Sequence, residues 1–198
     1  MNDKYKAAWD SAIIKSHNDL IQSQNTQVTG KIRQEANEYV VQEWINTEFS
    51  VFRHSEITDE MVDKIDTNLS GYDLLEPNSG LRIQAKYRAG KTESNRWHME
   101  QTRRTGASNT KGSANGQVRY KEDEFDVVVF TSPTKLSNEV TSEDFIAIPA
   151  SELKDPKKPG FLVGRVPPKL VKFWKQKGAM KVLKEVLKLK KEKNNESL

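Results

Sequence analysis

The chain has 198 residues, 35% of them hydrophobic and 30% charged, with a formal net charge of +4. At this length one domain, or one domain with an appendage, is expected, and roughly 70% of the unfolded chain's surface can be buried. The absence of cysteine excludes disulfide scaffolds, thiolate zinc sites and cysteine nucleophiles, and His17, His54 and His98 are too far apart for a local metal motif. Apolar runs stay far below the ~20 residues of a membrane span, and Met-Asn-Asp-Lys-Tyr-Lys has no signal-peptide character, so an intracellular protein is expected. Charge is unevenly spread. Residues 1–153 hold 18 Lys/Arg and 24 Asp/Glu, a balance of −6, whereas residues 154–198 hold 14 and 4, a balance of +10. A basic tail on an acidic body points to a polyanionic partner or to a solvated lysine-rich helix.

In chain order, Trp9, Ile13, Leu20 and Ile21 recur at near-helical spacing and predict an amphipathic helix over 7–21. A second helix is expected from about Gly30 to Thr47, with Ile32, Ala36, Tyr39, Val40 and Trp44 as its buried stripe. Glu35 falls beside Ile32 and Tyr39. It is either a peripheral acid with its head in water or an inward-facing functional one. Leu81, Ile83, Ala85 and Tyr87 then alternate with Arg82, Gln84, Lys86 and Arg88, which is the period of a strand with one buried face. Tyr72 to Glu76 precedes it, separated by the turn formers Pro77-Asn78-Ser79-Gly80, so the two form a β-hairpin.

Residues 89–117 are rich in Gly, Ser, Thr and Asn and carry Lys91, Arg96, Arg103, Arg104 and Lys111 around Trp97 and His98. A short helix over Glu93–Arg104 and a loop over Gly106–Gly116 are expected. Two more strands follow, Glu124–Thr131 and Asp144–Pro149, and beyond Lys154 a Pro/Lys/Gly linker leads into helices with Leu170, Phe173, Trp174, Met180, Leu183 and Leu187 on one side and lysines on the other.

The hairpin brings chemistry together. With Pro77–Gly80 as the loop, paired residue numbers sum to 157, so Asp73 opposes Gln84 at a Cβ separation of ~5 Å, while Leu74 opposes Ile83 on the apolar face. Lys86 projects from the Gln84 face. A carboxylate, a carboxamide oxygen and an ammonium thus share one surface, flanked by Arg82 and Arg88. Such a set suits metal-assisted phosphodiester hydrolysis: Asp73 and the Gln84 carbonyl are hard oxygen donors for Mg²⁺, and Lys86 is placed to orient water or offset developing charge. The same residues could equally form a solvated strand face with a charge pair.

Gly71-Tyr72-Asp73-Leu74-Leu75, a turn, and Arg82-Ile83-Gln84-Ala85-Lys86 resemble the PD-(D/E)XK nuclease superfamily, in the variant in which Gln replaces the second acid. The resemblance extends over about residues 30–153, through Gly30 and Glu35, Phe125–Phe130 and Phe145–Leu153. Two departures stand out: no Pro precedes Asp73, and Gln84 brings no negative charge.

The resemblance implies an α/β, restriction-endonuclease-like core of a mixed sheet flanked by helices, forming a nuclease domain over 1–153, with a basic helical extension over 154–198. It implies Asp73, Gln84, Lys86 and Glu35 as the catalytic set, with Asp73, Gln84 and Glu35 holding Mg²⁺, for which Mn²⁺ could substitute. Asp126, which shares a strand face with Val128 and Phe130, is expected to be structural or to support the site residues from behind. Double-stranded DNA is the implied partner, met by Arg82, Arg88, Lys91, Arg96, Arg103, Arg104, Lys111 and Arg119, with the lysine-rich tail adding sequence-independent attraction. Cutting both strands with one site per chain points to a homodimer or sequential nicking. A restriction-type, sequence-specific enzyme of bacterial or phage origin is the favoured role. Homing or repair nucleases of the same fold are the alternatives, along with a non-catalytic nucleic-acid-binding protein carrying a decayed site. A third reading gives the tail to a membrane surface or a partner helix.

Overall fold

The computed structural model describes residues 26–58, 61, 71–87, 97–99, 101–103, 116–131 and 145–196, with 26–33, 35, 36, 87, 101–103 and 116–118 described for their backbone alone. The helix expected over 7–21 lies outside them. Among the described residues none of the helices is long and apolar enough to cross a membrane.

Helix α1 spans Thr26–Ile45, starting earlier than its periodicity suggests. It ends where side chains capture its last carbonyls and the turn beyond: Thr47 Oγ1 donates to the Trp44 carbonyl at 2.7 Å, and Asn46 Oδ1 accepts from the Val51 amide at 2.8 Å. Strand β1, Phe52–Arg53, leads into a 3₁₀ turn at His54–Glu56. The hairpin follows as β2, Leu74–Glu76, and β3, Leu81–Tyr87, in the expected register, with Leu74 opposite Ile83 and Glu76 opposite Leu81. Its turn is locked by Glu76, a buried carboxylate that accepts from the backbone and side chain of both Asn78 and Ser79, while Gly80 supplies the left-handed φ of 69°.

Strands β4, Gln101–Arg103, and β5, Gly116–Val118, form a separate antiparallel ribbon. This corrects the expected helix over Glu93–Arg104. β-Bridge pairing of His98 with Arg165 and of β4 with β5 holds the described parts of that segment extended, and such tertiary pairing overrides local propensity. Strand β6, Val127–Thr131, runs parallel to β3 and β7, Ile146–Pro149, runs antiparallel to β6, giving a mixed five-stranded sheet in the order β1-β2-β3-β6-β7. Because β6 is an interior strand covered on both faces, its continuous run Val-Val-Val-Phe is buried throughout, as expected for a parallel neighbour. A 3₁₀ turn at Ala150–Leu153 precedes helices α2, Pro168–Lys177, and α3, Ala179–Glu196, split at Gly178, whose φ is 80°.

Two cores flank the sheet. On one face Val40, Val41, Trp44 and Ile45 of α1 and Ala179, Val182 and Leu183 of α3 pack on Leu74, Ile83, Ala85, Val127 and Val129. Trp44 stacks on Phe145 at a ring separation of 4.0 Å, an arrangement worth ~1 kcal/mol beyond the area buried. On the other face Trp97, Met99, Tyr120, Phe125, Leu162 and Val166 cover Leu75, Val128, Phe130, Ile146 and Ile148. The two C-terminal helices therefore share the core with the sheet. Their lysines are the solvent side of a structural layer, and Val182 and Leu183 have no exposed surface.

Candidate active site

The site is built at one end of the sheet. Gly71, with φ at 106°, turns the chain into β2; a Cβ there would come within 2.6 Å of Glu124 Cβ, so only glycine admits this approach. Tyr72 is buried with its ring edge-on to His54 at 4.8 Å, and the Asp73 amide donates to the Ile83 carbonyl at 3.0 Å. That anchoring carries the 157 register one pair beyond β2 and sets Asp73 against Gln84.

Asp73 remains partly exposed. Its Oδ2 accepts from the Ala85 amide at 2.8 Å and from the Gln84 side-chain amide, which also donates to the Ala85 carbonyl at 3.2 Å. Both hydrogens of the Gln84 amide nitrogen are thereby used, which turns the carboxamide oxygen away from Asp73 Oδ2. Gln84 itself is 3% exposed. Lys86, on the same strand face two residues on, carries its ammonium 4.7 Å above the centre of the Tyr120 ring. The ring is fixed edge-on to Phe125 at 5.1 Å, and the Tyr120 carbonyl accepts from the Leu162 amide at 2.9 Å.

The electrostatics are those of an incompletely neutralised carboxylate. Burial pushes the Asp73 carboxyl up to about 6, against the opposing pull of the Ala85 amide, the Lys86 charge and the Gln84 amide. Burial likewise pushes Lys86 down, and the Asp73 charge offsets only part of this. A cation at Asp73 would favour its ionised form.

Glu35 lies on α1, four residues before Tyr39. Asn37 bonds with Thr131 at the end of β6, which brings the N-terminal half of α1 to the sheet end that holds Asp73 and Lys86. Asp126 is tied internally: its Oδ2 accepts from the Arg82 amide at 2.8 Å and Nε at 3.4 Å, and its Oδ1 from Lys190 at 2.9 Å. Of the residues expected at DNA, Arg82 is thus engaged with Asp126 and Arg119 with Asp155. Their guanidinium groups are paired inside the protein. Arg103 sits on the β4–β5 ribbon, whereas Arg88, Lys91, Arg96, Arg104 and Lys111 lie outside the described residues. Tyr120 was not singled out by the sequence, since no period or spacing links it to Lys86.

Among the described residues no three His, Cys, Asp or Glu side chains come together. A carboxylate such as Asp73 suits a hard cation that keeps several waters, as Mg²⁺ does with one or two carboxylates, whereas Gln84 turns its amide nitrogen, not its oxygen, to Asp73. Asp73 is the donor of this pair that a divalent ion of this class would meet.

Comparison with family models gives no match, and neither does comparison with curated protein sequences. Among solved structures the chain is similar to a bacterial homing endonuclease, I-Ssp6803I, at 18% identity and a TM-score of 0.39, over 69% of this chain and 78% of that one.

Proposed function

We propose that the protein is a divalent-metal-dependent DNA endonuclease whose reacting centre is Asp73, Gln84 and Lys86, with Glu35 as a further acid. The observation that carries this reading is the trio itself: a partly exposed carboxylate with a raised pKa, bonded to a buried carboxamide, next to a desolvated ammonium on the same strand face. Asp73 and Gln84 would hold Mg²⁺ or Mn²⁺, which supplies a more acidic attacking water and charge neutralisation at the phosphate. The Gln84 amide and the Ala85 amide fix the Asp73 carboxylate, so little reorganisation is left for the reaction. Lys86, steadied over Tyr120, donates to the attacking water or to the phosphate oxygen on which charge accumulates.

Sequence choice is assigned to the β4–β5 ribbon and its neighbours Arg103 and Arg104, because a two-stranded ribbon fits the major groove. A restriction-type role suits this compact chain, with homing as the other role of the same chemistry. The direct test incubates the protein with supercoiled and linear DNA in Mg²⁺, Mn²⁺ or EDTA. Discrete fragments with either metal and none in EDTA are expected. Duplex binding with no cleavage in either metal would overturn the enzyme and favour a non-catalytic binder.

A further inference from the structure

The tail lysines divide into two groups. Along α3 from Lys184 onward, Lys184 bonds Glu48 at 2.6 Å, Lys190 bonds Asp126 at 2.9 Å and Lys188 lies 3.7 Å from Glu192. Asn194 donates to the Ser79 carbonyl, pinning that end of α3 to the hairpin turn. The first group is different. Between Asp155 and Glu185 the sequence has no acid. Lys169, Lys172, Lys175 and Lys181 are exposed and have no carboxylate partner among the described residues, and Lys177 lies over the ring of the half-exposed Phe173.

Sheet register fixes where this group sits. Lys86 pairs with Phe130, and Phe130 with Ile146, so Phe145 marks the same end of the sheet as Lys86 and Asp73. Phe145 and Trp44 line a groove whose other wall is Lys172, Lys175, Gly178 and Lys181. The α2–α3 junction therefore lies at the end of the sheet that carries the candidate site, across the sheet from the face of Gln84 and Lys86, and the paired lysines of α3 lead away from it toward the hairpin turn.

We infer that the α2–α3 junction, through Lys172, Lys175 and Lys181, is a docking surface for the phosphate backbone of double-stranded DNA flanking the scissile position. The proposal rests on the nuclease reading for its partner. Unpaired ammonium groups at the reacting end can release counterions from a duplex; lysines already bonded to Glu48 and Asp126 have little left to offer it.

The test measures affinity for a fluorescent duplex in EDTA at three salt concentrations. It compares the wild type, the triple variant Lys172→Gln/Lys175→Gln/Lys181→Gln and the double variant Lys184→Gln/Lys190→Gln. The slope of log affinity against log salt should be shallower by about 2.7 in the triple variant, at ~0.9 per phosphate contact, with an unchanged melting temperature. The double variant should melt lower and keep close to the wild-type slope. An unchanged slope in the triple variant, or an equal change in the double one, overturns the proposal. So does preference of the wild type for phosphatidylserine vesicles over duplex. Cleavage in Mg²⁺ is scored separately: a wild type that cuts while the triple variant keeps its slope sinks the docking surface alone, and one that binds with the expected slopes without cutting sinks the nuclease alone.

Discussion

The molecule contains two clusters made of the same three kinds of group, a carboxylate, a glutamine amide and a cation, in opposite electrostatic states. In the first, at the sheet edge, Glu56 accepts from the Arg53 amide at 2.9 Å, the Arg53 guanidinium at 2.6 Å and the Gln42 amide at 2.6 Å. Gln42 in turn accepts from Arg53 Nε at 2.9 Å and donates to the Val51 carbonyl at 3.1 Å, and the guanidinium lies 3.4 Å from the centre of the Tyr39 ring. Burial works against both charges, yet their mutual hydrogen bonds outweigh it, so Glu56 is held below its usual range and Arg53 above its own. In the second cluster burial wins: Asp73 is raised and Lys86 lowered. A satisfied trio fixes α1 to β1. An unsatisfied one leaves free energy for a ligand to recover, and such perturbed groups gather where chemistry is done.

The largest expected effects separate these roles by activity. Asp73→Ala should reduce cleavage by about 10³-fold or more while leaving duplex affinity in EDTA within a few-fold, because it removes the carboxylate proposed to hold the metal and no proposed phosphate contact. Lys86→Ala should also cost orders of magnitude in kcat. Cleavage at the wild-type rate in either variant would return that residue to a solvated strand face. Gln84→Ala should be severely impaired, whereas Gln84→Glu keeps an oxygen donor and should stay active with a changed preference between Mg²⁺ and Mn²⁺. Equal, mild losses in both would take Gln84 out of the site.

At the other cluster the effect moves from rate to stability. Arg53→Ala takes the guanidinium from Glu56 and from the face of the Tyr39 ring, and should cost about 2 kcal/mol in urea unfolding. Activity per folded molecule should be unchanged. Loss of kcat without loss of stability would make the edge cluster part of the reacting centre and erase the contrast.

These differences explain what could be read in advance. The alternation through Leu81–Tyr87 and the turn formers Pro77–Gly80 are local signals, and they were enough to set the hairpin register and the pairing of Asp73 with Gln84. The Gln42–Arg53–Glu56 cluster was invisible because its members belong to a helix, a strand and a turn with no shared period. For the same reason the contact of Lys86 with Tyr120 could not be foreseen. The C-terminal lysines read as a tail because charge dominates that composition, yet Val171, Ala179, Val182 and Leu183 are buried in the cores. Few apolar residues suffice there, because α3 needs only one narrow stripe to close the sheet. The buried stripe of α1 was legible through Tyr39, Val40 and Trp44, which pack in the core, and Val41 and Ile45 widen it.

The smallest effect is a pair of opposite pH slopes, and it tests the contrast most directly. An unfolded aspartate ionises near pH 4, whereas folded Asp73 does so at about 6. The folded state therefore holds this proton more tightly, and its stability falls as pH rises from about 4 to about 6. Asp73→Asn removes that loss and should be more stable than the wild type above pH 6 in EDTA, by about 1 kcal/mol once the partial exposure of the carboxylate is discounted. Glu56 has the reverse sign. Its stabilisation is complete above the ordinary carboxylate range and disappears as pH falls through its lowered native value, so Glu56→Gln should weaken the fold at neutral pH and matter little in acid. Adding Mg²⁺ at pH 7 should raise the melting temperature of the wild type and leave Asp73→Asn unmoved, since the variant lacks the carboxylate proposed to hold the ion. If the two variants instead shift stability in the same direction across this range, or if Mg²⁺ stabilises both proteins equally, the Asp73 trio is as well satisfied as the Arg53 trio and has no free energy in reserve for a metal.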